Sequence, residues 1–117
     1  MPFITARVNT KIDKNQEIKI KTLMGQVIAL IPGKSEKYLM LGLEDDYKFY
    51  LRGDSQKAAL IEASIFGNED HEGFKEFAQE TTKIFNGVLN IPAENIYINF
   101  ADIKAWAVKG VFIEGNI

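Results

Sequence analysis

The chain contains no cysteine and only one histidine, His71. The first absence excludes disulfides, thiol nucleophiles, Cys-X-X-Cys redox chemistry and thiolate metal sites. The second argues against a histidine-built metal cage or a Ser-His-Asp triad within the chain. Neither sign of charge dominates. Lys and Arg number 14 against 16 Asp and Glu, a formal charge of −2. Electrostatics therefore gives no reason to expect nucleic acid or an anionic membrane as partner. No apolar run reaches the length of a membrane span, and no basic stretch followed by an apolar one marks a secretory signal. A cytoplasmic location is the expectation.

What is there is ordinary in bulk. Residues 1–117 suit one domain with a modest core, and the 46% hydrophobic and 26% charged shares are those of a globular protein. The informative feature is local: Pro2, with a strand pattern starting directly after it. If Met1 is trimmed, Pro2 carries a free secondary amine. The reference α-amino pKa of about 7.7–8.0 already lies near the range a general base needs.

From Pro2 to Asn9, Ile4, Ala6 and Val8 alternate with Thr5, Arg7 and Asn9, a strand with one buried face. Between Asp13 and Ile31 the step changes to three and four, with Ile20, Leu23, Met24, Val27, Ile28 and Ile31 on one helix face. Asp13 is the expected N-cap, and Pro32-Gly33 stops the helix. Tyr38 to Leu43 reads as an apolar strand, Glu44 to Lys48 as a turn, and Phe49 to Leu51 as a short strand. Arg52-Gly53-Asp54 is better read as a turn than as an adhesion motif.

The second half repeats the first. Ala58 to Phe66 is a strand, and Asn95 to Phe100 another. Between them, His71 to Leu89 is a helix carrying Phe74, Phe77, Ala78, Thr81, Ile84, Phe85 and Val88. His71 itself, amid Asn68-Glu69-Asp70 and Glu72, reads as an exposed residue at the helix start. The fold class is therefore α+β: two pseudo-symmetric βαβ units forming a four-stranded mixed sheet with two helices on one face. The strands Tyr38–Leu43 and Ala58–Phe66 look apolar on both sides, so the second sheet face needs a cover, and a second copy of the chain is the natural one. The tail from Trp106 to Ile113 reads as a short ribbon suited to a neighbour's sheet edge.

Several residues together resemble the macrophage migration inhibitory factor family of tautomerases. They are Met1-Pro2-Phe3-Ile4, the Gly33-Lys34 turn, Ala63-Ser64-Ile65, and Ile96-Tyr97-Ile98-Asn99-Phe100 followed by Asp102. The resemblance runs end to end. It leans toward the macrophage migration inhibitory factor branch, since the D-dopachrome tautomerase counterpart of Tyr97-Ile98-Asn99 is different. It implies a homotrimer with pockets at the subunit interfaces and no metal or organic cofactor. It also implies keto–enol interconversion of small aromatic 2-keto acids such as phenylpyruvate, or isomerisation of dopachrome derivatives. In those terms Pro2 is the base. Lys34 binds the substrate carboxylate, and Phe3, Ile65 and Val108 wall the pocket. Ile65 also offers a backbone hydrogen bond, and Tyr38 is an aromatic wall on the Lys34 side. Tyr97 and Asn99, two apart and so on one strand face, reach the neighbouring subunit's pocket, Asn99 as a hydrogen-bonding group and Tyr97 as a wall. The alternative role is that of a cytokine-like protein, released without a signal peptide, that binds a receptor while its tautomerase activity is vestigial.

The departures are specific. Lys57-Ala58-Ala59-Leu60 stands where a cytokine member has Cys-X-X-Cys, which removes any thiol-oxidoreductase chemistry. Gly110 stands at the pocket-rim tryptophan, leaving Trp106 or Phe112 as replacements. An insertion near Phe66-Gly67 alters the loop beside Ile65.

Overall fold

A computed structural model describes residues 1–115. Asn116 and Ile117, the end of the single-domain span expected above, lie outside the described residues. Strand β1 (Pro2–Val8) is followed by helix α1 (Lys14–Val27) and strand β2 (Met40–Glu44). Strand β3 (Ala59–Phe66), helix α2 (Phe74–Leu89) and strand β4 (Ile96–Ile103) repeat the order, and a hairpin of β5 (Ala105–Val108) and β6 (Val111–Glu114) ends it. The sheet order is β2-β1-β3-β4, parallel at both edges and antiparallel in the centre. This is the duplicated βαβ arrangement that the sequence pattern implies.

Local chemistry fixes the elements. Asp13 accepts from the Gln16 amide while the Gln16 side chain accepts from the Asp13 amide, a reciprocal cap that starts α1. The chain leaves α1 through a single 3-10 turn, Ile28–Leu30. Pro32 then removes a donor, Gly33 takes a left-handed conformation (φ 78°), and the Lys34 amide donates to the Ile31 carbonyl at 3.1 Å. Helix α2 ends on left-handed Asn90, with Pro92 two residues on. Alternate strand residues Ile4, Ala6, Val8, Ile61, Ala63 and Ile65 meet Ile20, Met24, Ile28, Phe77 and Phe85 of the helices in one core. Each fully buried Ile, Val, Met or Phe among them contributes roughly 1.5–3 kcal/mol.

Four expectations need correction. Tyr38 lies in a 3-10 turn, Glu36–Tyr38, and the strand begins only at Met40. Phe49 to Leu51 forms no strand; Leu51 instead bridges to Asp54 across left-handed Arg52 and Gly53, which bears out the turn reading of that tripeptide. His71 is exposed but outside the helix, since α2 starts at Phe74.

The fourth correction concerns the second sheet face, which is not uniformly apolar. Period-two alternation turns Leu41 and Leu43 toward the core and leaves Met40, Gly42 and Glu44 outside. Glu62 and Ser64 alternate with core residues in the same way. At the centre of that face Arg7 pairs with Glu62 and, at 3.3 Å, with Glu44. The hydrogen bond to Glu62 outweighs desolvation and raises the Arg7 pKa further. Exposed Phe3, Met40 and Tyr97 flank this charged centre.

Candidate functional site

Two ends of the sheet carry chemistry-bearing side chains. At one end Met1, Pro2, Phe3, Tyr38, Met40, Trp106, Ala107 and Val108 line a groove of about 790 Å³. Three elements build it. Strand β1 brings Pro2, which is buried, and Phe3, which points to the opposite face. The turn before β2 and the first residue of β2 bring Tyr38 and Met40, both largely exposed. The β5–β6 hairpin brings Trp106 and Val108, held by a two-residue connection in which Lys109 and Gly110 are both left-handed, the conformation of a tight hairpin turn.

Lys34 stands beside the groove. Its ammonium donates to the Phe66 carbonyl at 2.6 Å and is also within hydrogen-bonding reach of the chain's terminal amine. That amine, on Met1, has its pKa lowered from 8.0 to about 6. Burial comes first among the causes, then the charge of Lys34, then the hydrogen bond to it. An amine here is mostly neutral at pH 7, and a cation stands next to it. Such an arrangement can take a proton from carbon while holding an anion.

The groove thus brings together Pro2, Phe3, Tyr38 and Val108, with Lys34 alongside. Ile65 is the register partner of Pro2, but its side chain is fully buried in the core. Only its backbone can serve the site, so it is not a side-chain wall. Tyr97 and Asn99 are not brought to Pro2 within one chain. Pro2 shares its cross-sheet row with Ile65 and Asp102. Tyr97 lies five residues and Asn99 three residues back along β4, roughly 17 and 10 Å at about 3.3 Å per residue. Tyr97 instead borders a small cleft of about 130 Å³ with Phe49, Tyr50, Leu51, Ala58, Ala59, Leu60 and Asn95.

Sequence reasoning missed Met40 as a groove residue. Its signal was the Phe3–Met40 pairing, which needs the register. Trp106, named only as a rim replacement, is a groove wall whose ring lies 6.5 Å from that of Phe66. Also missed was the link between His71 Nε2 and Asp102 Oδ2 at 2.7 Å. Among the described residues no three His, Cys, Asp or Glu side chains gather as metal ligands, and no helix is long and apolar enough to cross a membrane.

A duplicated βαβ sheet with a groove beside Pro2 places the chain in the tautomerase-superfamily class, and comparison with known proteins narrows it. The family model described as macrophage migration inhibitory factor matches residues 1–113. The chain belongs to the macrophage migration inhibitory factor family. It is 26% identical over 105 residues to macrophage migration inhibitory factor of Xenopus laevis, covering 90% of each chain. Its fold is that of Leishmania major MIF2, with a TM-score of 0.89, 21% identity and 97% of each chain covered. A homologue from Prochlorococcus marinus superposes with a TM-score of 0.84 at 23% identity, over 95% of this chain and 98% of the other. A more distant fold match, TM-score 0.81 at 11% identity over 92% and 93% of the two chains, is Pt0534 inactivated by 2-oxo-3-pentynoate.

Proposed function

We propose that the protein is a cofactor-free keto–enol tautomerase for small aromatic 2-keto acids, with the Pro2 amine as general base once Met1 is removed. The observation that carries this is the amine at the groove, held to a pKa of about 6 by burial and by Lys34. Cutting the Met1–Pro2 bond moves the amine one residue further in, to a buried position where desolvation again disfavours its charged form.

The chemistry follows from that placement. The neutral amine removes a proton from the carbon next to the keto group. The C–H pair becomes the C=C bond, the carbonyl π pair moves onto oxygen, and that oxygen takes up a proton. The reverse sequence regenerates the ketone. The Lys34 ammonium holds the substrate carboxylate, while Phe3, Tyr38, Trp106 and Val108 receive the aryl group. That a protein of the same fold is inactivated by a 2-oxo acid supports the substrate class.

Tyr97 and Asn99 join the site only if a neighbouring copy supplies them, which fits a homotrimer with interfacial pockets. The test is ultraviolet-monitored tautomerisation of phenylpyruvate by Met1-free protein, its mass verified, with Pro2→Gly alongside. Equal rates for the two proteins would remove Pro2 from the role of base.

A further inference from the structure

The segment between β3 and α2 (residues 67–73) touches the Lys34 region at both ends. At its start, the Phe66 carbonyl accepts the Lys34 ammonium at 2.6 Å. At its finish, Gly73 is left-handed (φ 81°) and lies so close to the backbone of Leu30 and Ile31 that a Cβ would overlap it. Leu30 and Ile31 lead directly into the Lys34 turn, whose amide is bonded to the Ile31 carbonyl. The segment therefore holds the ammonium from one side and backs its turn from the other.

Within the segment the Asn68 side chain bonds the Glu72 carbonyl and amide at 2.8 and 3.1 Å, and what ties it to the sheet is His71. Its Nε2 lies 2.7 Å from Asp102 Oδ2, on the strand beyond β3 and in the row of Ile65 and Pro2. The imidazole is stacked on Phe74, with ring centroids 5.1 Å apart, and Phe74 is stacked on Phe100 at 4.4 Å. His71 also takes a left-handed backbone (φ 59°), a conformation costly to most side chains and more tolerated by histidine. Glu69 adds a weaker tie to Lys104 at 4.0 Å. Both members of the His71–Asp102 pair are partly solvent-exposed, so the core does not depend on them.

We propose that His71, through Asp102, is a positioning residue for Lys34: it locks the 67–73 segment so that the Phe66 carbonyl and the Gly73 backbone hold the ammonium where a substrate carboxylate binds. The proposal rests on the tautomerase reading above. At about pH 9, where the amine is neutral whether or not Lys34 lowers its pKa, it predicts a defect in binding rather than in chemistry, because the amine base lies on β1, outside the segment.

The experiment compares wild type, His71→Ala, Asp102→Ala and the double variant, all free of Met1, with phenylpyruvate. Each single variant is expected to raise KM about five-fold or more with kcat within about two-fold, and the double variant to be no worse than either single one, since the pair acts as a unit. The Lys34 ammonium signal in 15N-lysine spectra, assigned with Lys34→Arg, is expected to move in both single variants. A KM unchanged in either single variant, or equal losses in kcat and kcat/KM, would overturn the proposal. If wild type does not turn over phenylpyruvate, the tautomerase reading fails, and the Lys34 signal then decides alone. A shift on His71→Ala keeps the positioning role, and an unmoved signal ends it.

Discussion

The two ends of the sheet differ in kind. At the Pro2 end an amine, a lysine and apolar side chains converge on a groove of about 790 Å³. At the Tyr97 end, polar side chains satisfy one another. Asn95, 2% exposed, donates to Gln56 Oε1 at 3.1 Å and to the Lys57 carbonyl at 2.8 Å, and accepts from Arg52. Next to this closed network the Tyr97 and Asn99 side chains stand exposed with no hydrogen-bond partner among the described residues. The lesson is that the open groove and the closed network lie at opposite ends of one sheet, and under the proposed function they are two halves of a site that a neighbouring copy completes. The charged Arg7–Glu44–Glu62 centre separates them.

The strongest way to break this contrast is to change the base. Pro2→Gly leaves a primary amine on an unconstrained residue in place of the fixed ring amine and is expected to lower kcat for phenylpyruvate by about 10²-fold, the lower end of what a positioned general base contributes. Retaining Met1 should also lower kcat, because the Pro2 nitrogen is then an amide and the amine at the groove is the Met1 one, a residue further out.

Next comes the cation. Lys34→Met takes a charged hydrogen-bond donor from the carboxylate, a loss of about 1.5–3 kcal/mol, so KM should rise roughly ten- to a hundred-fold. It also removes the second and third causes of the amine's depressed pKa. In the Met1-bearing chain that pKa should climb from about 6 toward 8, as read by NMR titration of the amine. In the Met1-free enzyme the base acts when neutral, so kcat/KM rises with pH through the amine pKa. The variant should shift that rise to higher pH, and an unshifted profile would mean that burial alone sets the base.

A smaller effect tests whether the two ends meet. Asn99→Ala is expected to cut kcat/KM about ten-fold, a hydrogen bond's worth. The sharper result is complementation. Pro2→Gly and Asn99→Ala copies, unfolded together and refolded as a mixture, should show activity above the average of the two. If the mixture stays at the average of the two, Tyr97 and Asn99 do not serve a neighbour's groove.

How much of this could be read without coordinates depends on the range of the signal. Helix α1 was legible because Asp13 and the three-to-four spacing from Ile20 are local, as was the Pro32-Gly33 stop. The repeat of strand, helix and strand then gave the sheet. Tyr38 was misplaced since an apolar run does not show where a turn ends and a strand begins. The second face was misread because Gly42 and Glu44 alternate with leucines, and run-based reading overlooks alternation. Pro2 and Lys34 were legible through resemblance to a family, whereas composition gave only the idea of an amine. The His71–Asp102 link joins residues 31 positions apart, and only the register of β4 against β3 brings them together.

The smallest expected effect on the chemistry comes from the closed network. Asn95→Ala takes its donor from the Lys57 carbonyl and leaves Gln56 Oε1 with only the longer bond from Arg52 at 3.4 Å, at a cost of about 1–3 kcal/mol, so the melting temperature should fall. No recorded bond runs from Asn95 to Lys34, Phe66 or the terminal amine. In the Met1-bearing chain the amine pKa should therefore stay at about 6. Melting followed by circular dichroism and titration of the amine by NMR separate the two readouts. A lower melting temperature with an unmoved pKa keeps the ends independent within one chain. An upward drift of the pKa would show that loosening the Tyr97 end opens the Pro2 groove, and the two ends would then form one coupled unit.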